Sequence, residues 1–140
     1  MTKKASNTIK FIDLFCGIGG FRYAIEYAAR KLGLHAECVF SSDIDEECQK
    51  VYKENFHEKP YGDITKVSAK SIPNHDFLLA GFPCQPFSII GNRKGFEDAR
   101  GTLFFEIARI IEAKRPKIFV LENVKLLAGH NGGKSLTRII

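Results

Sequence analysis

Residues 10–15 form an apolar run that breaks at three glycines, Gly17, Gly19 and Gly20, after which the apolar positions change period. Phe21, Ala24, Ile25, Ala28 and Leu32 fall at helical spacing, and Gly33 closes that segment. A short apolar strand, a glycine turn and an amphipathic helix, in that order, commit the chain to a strand–crossover–strand unit. The pattern then repeats. Residues 36–41 read as a second strand. Asp45 is placed to cap a helix whose inner face carries Cys48, Val51 and Tyr52, with Asn55 at its end. Residues 61–64 read as a short third strand, and residues 77–80 as a fourth, closed by Gly81. Leu103, Ile107, Ile110 and Ile111 mark a further helix, residues 117–121 a fifth strand apolar on both faces, and residues 135–140 a helical run. Such alternation predicts an α/β fold with a mostly parallel, helix-covered sheet. The 140 residues suit one domain.

No apolar run is long enough to span a bilayer, and the first eight residues lack the apolar stretch of a secretion signal, so a cytoplasmic protein with no membrane partner is expected. Lysine and arginine number 21 against 16 acids, a balance that suits a polyanionic partner without requiring one. No two of Cys16, Cys38, Cys48 and Cys84 form a C-x-x-C pair, so no metal site is expected. The first three read as small buried hydrophobes. Cys84 does not, because Pro83 and Pro86 bracket it just past the fourth predicted strand, on a stiffened turn.

Ligands of such sheets bind at the carboxyl ends of the strands, and the residues of chemical interest gather there. Asp13 through Gly20 follow the first strand, Asp43 the second, Asp63 the third, Pro83 and Cys84 the fourth, and Glu122 the fifth. The glycine turn admits a ligand close to the backbone at a helix N-terminus. A dinucleotide fingerprint would place its third glycine at position 22, which is Arg22, and this departure weakens a pyrophosphate site. A nucleoside without phosphate, such as S-adenosylmethionine, needs only the turn and nearby carboxylates. Asp43 can accept from ribose hydroxyls and Asp63 from an adenine amino group; Asp43 serves equally well as a cap or turn residue. The Cys84 thiolate can add to C6 of cytosine, making C5 nucleophilic toward a methyl donor, if a carboxyl group engages N3. Glu122 can supply that carboxyl, or can be a solvated residue at a strand end. The loop from Ser88 to Gly101 carries Arg93, Lys94 and Arg100 among hinge-forming glycines. It can grip phosphates over a flipped base, or be an ordinary exposed loop.

Taken together these segments resemble the C5-cytosine-specific DNA methyltransferases, and more closely the bacterial HhaI-type modification enzymes. Residues 11–21 look like the family's first motif, residues 81–88 like its Pro-Cys motif, and Glu122, Asn123 and Val124 like a third signature. Residues 62–65 and 100–105 also look like family segments. The resemblance runs from about residue 10 to 130 and implies a Rossmann-like sheet, S-adenosylmethionine as methyl donor, double-stranded DNA as substrate and a place in a restriction–modification system, in a bacterial, nucleoid-associated protein. It implies Cys84 as nucleophile and Glu122 as the partner of cytosine N3. It implies a cofactor site of Asp13, Phe15, Gly17, Gly19, Asp43, Ile44, Asp63, Ile64, Pro83 and Leu103. DNA contacts would come from Ser88, Arg93, Lys94 and Arg100. Family members continue well past this length, so a partial catalytic domain is expected, cut after the fifth strand, without its recognition region and dependent on a complementing C-terminal polypeptide. A tRNA cytosine-C5 methyltransferase and a non-catalytic truncated remnant are the alternative readings. Phe82 before Pro83 resembles the DNA enzymes more than the tRNA enzyme's Pro-Pro-Cys.

Overall fold

The computed structural model describes residues 7–83, 103–123 and 125–139. The first unit is β1 (Thr8–Leu14), α1 (Gly20–Lys31) and β2 (His35–Ser42). It is followed by α2 (Glu46–Phe56) and two short 3-10 turns, Ile64–Lys66 and Ala69–Ser71. Then come β3 (Phe77–Gly81), α3 (Leu103–Lys114), β4 (Ile118–Glu122), α4 (Leu126–Gly129) and α5 (Lys134–Ile139). Among the described residues the sheet has four strands, all parallel, in the order β2-β1-β3-β4. The chain order thus reverses beside β1. That is where a crevice opens at the carboxyl edge of a doubly wound sheet.

Alternation along β1 divides the core. Ile12 and Leu14 face one side with Phe40, Leu78 and Ala80, packed against Ile64, Ile72, Ile107 and Ile110. Phe11 faces the other with Ala36 and Leu79, packed against Ala29 and Ile25 of α1. Burying one such side chain contributes about 1.5–3 kcal/mol, so Ile107 and Ile110, both fully buried, suffice to hold α3 on the sheet. Both helices flanking β2 begin at that sheet's carboxyl end. Gly19 enters α1 in the left-handed region (φ 96) with no side-chain cap, whereas Asp45 caps α2 by accepting from the Cys48 N–H at 2.9 Å.

Two expectations change. The predicted third strand reduces to a single bridge, Ser42 to Tyr61. There Asp63 turns the chain out of the sheet by accepting from the Thr65 N–H and hydroxyl, so four strands form where five were expected. On α2 the buried residues are Gln49 and Tyr52, while Val51 is exposed. Gln49 faces inward because its amide donates to the Asp43 carbonyl at 2.7 Å. The last strand forms where it was expected and, among the described residues, pairs only with β3. Ile118, Phe119 and Val120 are 47%, 53% and 42% exposed, leaving β4 an open apolar edge among the described residues.

Candidate nucleoside site at the carboxyl edge

The pocket lies where β1, β2 and β3 end. Its walls are Phe15, Ser42, Asp43, Ile44, Gly62, Asp63, Ile64, Gly81, Pro83 and Leu103. Seven of the ten cofactor-site residues implied by the resemblance therefore converge on one crevice. The chain brings them there by distinct local devices. Phe15 leaves β1 in the left-handed region (φ 54), a conformation that costs a non-glycine residue about 1–2 kcal/mol and that marks ligand sites more often than chance. The Cys16 N–H donates to the Ser42 carbonyl at 3.0 Å, tying the glycine turn to the end of β2. Tyr61 pairs with Ser41 and Asp43 through its backbone, which delivers Gly62 and Asp63 to the same edge.

The carboxylates are held but not saturated. Asp43 accepts from the Gly17 N–H at 2.7 Å on one oxygen and from the Asp45 N–H at 2.9 Å on the other. Each oxygen keeps a second lone pair for a ligand. Asp63 spends one oxygen on Thr65, and these hydrogen bonds hold its pKa below the usual carboxylate value. Its other oxygen lies 3.9 Å from the Lys66 ammonium. Among the described residues no lysine or arginine lines the pocket. Two acceptors and apolar walls suit a nucleoside bearing a positive sulfonium. They do not suit a pyrophosphate, which requires donors and positive charge.

The other three implied cofactor residues stand behind the wall. Gly17 presents its N–H to Asp43. Gly19 backs onto Phe56, and a Cβ there would fall inside that ring. Asp13 is fully buried, and neither carboxyl oxygen makes a hydrogen bond. Burial pushes its pKa up to about 7; the Arg22 N–H and guanidinium pull the other way, and Asp43 adds to the rise. Burial, with Asp13 and Asp43 nearby, also drives the Cys16 thiol well above its ordinary value. Burial pushes Cys38 up to about 11, so neither thiol is primed as a nucleophile.

At the β3–β4 end, Gly81 stands opposite Glu122 in the strand register. A Cβ at position 81 would meet the Glu122 carboxylate at 3.5 Å. The Glu122 carboxylate thus lies in van der Waals reach of position 81, two residues before Pro83. The Asn123 amide donates to the Phe82 carbonyl at 3.1 Å, and Phe82, buried against Phe104, anchors the start of the loop. Cys84, Ser88, Arg93, Lys94 and Arg100 lie outside the described residues.

Sequence reasoning overlooked the residues behind the glycine turn. Arg22 counted only as a flaw in a dinucleotide fingerprint, yet it is buried, as is Gln49; Tyr52, expected on the inner face of its helix, is buried there. The available signal was Glu26, four residues on from Arg22 along one helix, the spacing of an ion pair. Among the described residues no group of three or more His, Cys, Asp or Glu side chains is arranged to hold a metal, and no helix is long and apolar enough to cross a membrane.

A parallel, helix-covered sheet with a nucleoside-shaped crevice at its switch point defines the Rossmann-like class of ligand-binding α/β proteins. Within that class, the model of the C-5 cytosine-specific DNA methylase family matches residues 9–140, and the chain belongs to this family. It is 57% identical over 128 residues to the Type II methyltransferase M.HhaI of Haemophilus parahaemolyticus, a match covering 91% of this chain and 37% of that protein. It is 56% identical over 132 residues to the Type II methyltransferase M.DsaV of Dactylococcopsis salina, covering 94% and 36%. Among solved structures, the methyltransferase EhMeth of Entamoeba histolytica superposes with a TM-score of 0.74 at 26% identity, over 94% of this chain and 43% of that one. The Dnmt2 methyltransferase of S. pombe superposes with a TM-score of 0.71 at 26% identity, over 94% and 41%. The chain spans about a third of the length of the curated relatives it matches.

Proposed function

We propose that this chain is the cofactor-binding and nucleophile-bearing part of an S-adenosylmethionine-dependent DNA cytosine-C5 methyltransferase of a bacterial restriction–modification system. In this reading it acts in the cytoplasm on double-stranded DNA, together with a polypeptide corresponding to the remaining two thirds of its relatives. The observation that carries the reading is the crevice at the carboxyl edge with the Asp43 and Asp63 carboxylates on its wall, one strand away from Glu122 and ending at Pro83, the residue before Cys84 in the sequence.

Asp43 holds the ribose hydroxyls and Asp63 the adenine amino group, while Phe15, Ile44, Ile64, Pro83 and Leu103 enclose the apolar surface. S-adenosylmethionine, when bound, supplies an electrophilic methyl group. The Cys84 thiolate adds to C6 of a cytosine turned out of the duplex. Glu122 hydrogen-bonds N3 and stabilises the charge that the addition places on the ring, so that C5 becomes the nucleophile. After transfer, loss of the C5 proton and departure of the thiolate restore the aromatic ring and free Cys84. Ser88, Arg93, Lys94 and Arg100 grip the phosphates beside the extruded base. The open β4 edge receives the partner polypeptide, since unpaired backbone beside Phe119 and Val120 is a template for strand addition.

The test is transfer of a labelled methyl group by the chain together with the partner polypeptide of an HhaI-type relative. Label is expected on cytosine C5 of duplex DNA. Label on tRNA alone, or none on either nucleic acid with both polypeptides folded, would overturn the reading.

A further inference from the structure

The residue that spoils the dinucleotide fingerprint sits at the centre of the densest polar cluster among the described residues. Arg22, on the inner face of α1, is only 7% exposed. Its guanidinium donates to Glu26 at 2.8 Å, to Glu58 at 2.7 Å and to the buried Tyr52 hydroxyl at 3.3 Å. These hydrogen bonds outweigh the burial that opposes its charge, so its pKa lies above the usual arginine value. Its Cζ lies over the Phe56 ring, 4.5 Å from the centre, and over the Tyr52 ring, 5.6 Å from the centre.

What Phe56 touches gives this cluster a function. Its ring fills the space in which a side chain at position 19 would lie, directly behind the glycine turn. One residue earlier, Asn55 donates to the Ile18 carbonyl at 3.3 Å. The last turn of α2 is therefore the back support of the turn, and Arg22 holds that last turn in place. The chain past α2 cooperates. His57 takes a left-handed conformation (φ 59) as the C-cap, which brings Glu58 round to the guanidinium. At the front of the same turn, Gly17 donates to Asp43 on the pocket wall. A continuous path thus runs from Glu58 through Arg22, Phe56, Gly19 and Gly17 to the carboxylate facing the crevice.

We infer that Arg22 is a positioning residue for the cofactor site, clamping Phe56 against Gly19 so that the Gly17 N–H fixes Asp43 in its binding orientation. The inference rests on the S-adenosylmethionine reading above, but half of its test does not. A guanidinium is required because only a planar cation can stack on a ring while donating sideways to two carboxylates. A lysine can satisfy Glu58 but cannot do both.

The experiment compares the parent chain with Arg22→Met, Arg22→Lys, the milder Glu58→Gln, and Ile72→Val as a control. Ile72 is buried in the core but touches none of these groups. Two quantities are read, each against thermal stability: the dissociation constant for S-adenosylhomocysteine, measured with the partner polypeptide present, and hydrogen exchange at the Gly17 and Gly19 amides, measured without ligand. Arg22→Met is expected to weaken ligand binding about tenfold and to speed exchange at both amides by a similar factor. Arg22→Lys and Glu58→Gln should fall in between. Ile72→Val should lose stability without either change. Amide exchange at parental rates in folded Arg22→Met or Glu58→Gln would overturn the clamp. Loosened amides with unchanged affinity would overturn its link to the ligand. Failure of the parent itself to bind, with the amide pattern as expected, would overturn the cofactor reading and leave the clamp as a purely structural device. If Arg22→Met does not fold, Glu58→Gln decides alone, because Glu58 is itself half-exposed and its charge is dispensable to the core.

Discussion

The two sides of β1 are built differently. On the β2 side a series of polar contacts supports the pocket wall: Gly17 on Asp43, Gln49 on the Asp43 carbonyl, Asn55 on Ile18, Arg22 on Glu26 and Glu58. On the β3–β4 side, among the described residues, the Asn123 amide donates to the Phe82 carbonyl, and the outer strand exposes three apolar residues in succession. The first side holds its glycine turn and the Asp43 carboxylate by side-chain contacts from two helices. The second presents an unpaired edge beside Glu122, which suits a surface completed by another part of the protein. Binding and bond-making are thus assigned to regions of unequal self-sufficiency.

The sharpest way to break this contrast is at the glycine turn. Gly19→Ala forces a Cβ into the Phe56 ring at a backbone angle (φ 96) that alanine resists. Strain and overpacking together should cost roughly 2–5 kcal/mol and abolish ligand binding. Denaturant unfolding and calorimetry check both. A near-parental stability would mean that the turn is loose and the β2 side no more rigid than the other.

A slightly smaller effect depends on pH. The Asp13 carboxyl has a folded pKa of about 7 against an ordinary value of 3.8, raised by burial. The folded state therefore keeps a proton that the unfolded chain releases. This group's contribution to stability is complete below about pH 4 and is lost as pH rises toward 7. At 1.36 kcal/mol per pKa unit the swing is roughly 2–4 kcal/mol. The groups bearing on Asp13 are Arg22, Asp43, Cys16 and Cys38. The parent chain should be more stable at pH 5 than at pH 8 by an amount that Asp13→Asn largely removes. The exposed Asp45, Asp63 and Asp76, whose pKa values are lowered, act in the opposite sense and at lower pH; His75, whose pKa burial lowers, also opposes it within this window, so the difference between parent and Asp13→Asn is the quantity that reads Asp13.

Next in size is the wall itself. Asp43→Ala and Asp63→Ala each remove a charge-assisted hydrogen bond worth about 1.5–3 kcal/mol, so S-adenosylhomocysteine should bind roughly ten- to a hundredfold more weakly. Asp43→Ala should show the larger loss, because it also releases Gly17. Equal affinities in both variants and the parent would remove these carboxylates from the site.

The smallest effect on folding belongs to the β4 edge. Phe119→Lys should alter the stability of the chain by about 1 kcal/mol or less, as expected for a half-exposed residue. It should nonetheless prevent assembly with the partner polypeptide, measured by co-purification. Unimpaired assembly would assign the partner to another surface.

Much of this was legible in the sequence because the signals were periodic and local. The apolar alternation of Phe11, Ile12 and Leu14, the helical spacing of Phe21 to Leu32, and Asp45 ahead of α2 each specify their element without tertiary help. The failures have one physical cause, which is polar residues serving the backbone or each other inside the fold. Tyr61 and Ile64 look like a strand until Asp63 bonds Thr65 and turns the chain away. Gln49 looks solvent-facing until its amide is found on the Asp43 carbonyl. Arg22 looks like a defect until three partners and a ring surround it. Seven of the implied site residues line the pocket because motif positions at strand ends are fixed by the sheet. Asp13, Gly17 and Gly19 stand behind it, a distinction that depends on how the turn packs in three dimensions and not on spacing.

The central claim is that Cys84 attacks cytosine C6 while this chain holds the methyl donor. The most direct measurement uses duplex DNA carrying 5-fluorocytosine at the target position, with the partner polypeptide and S-adenosylmethionine present. Fluorine at C5 cannot leave as the proton does, so the enzyme is caught after methyl transfer, still bonded to the base. Mass spectrometry of the digested product should find the methylated nucleotide on the peptide bearing Cys84, and Cys84→Ser protein should give none. An adduct on Cys16, Cys38 or Cys48, or turnover persisting in the Cys84→Ser protein, would contradict the account.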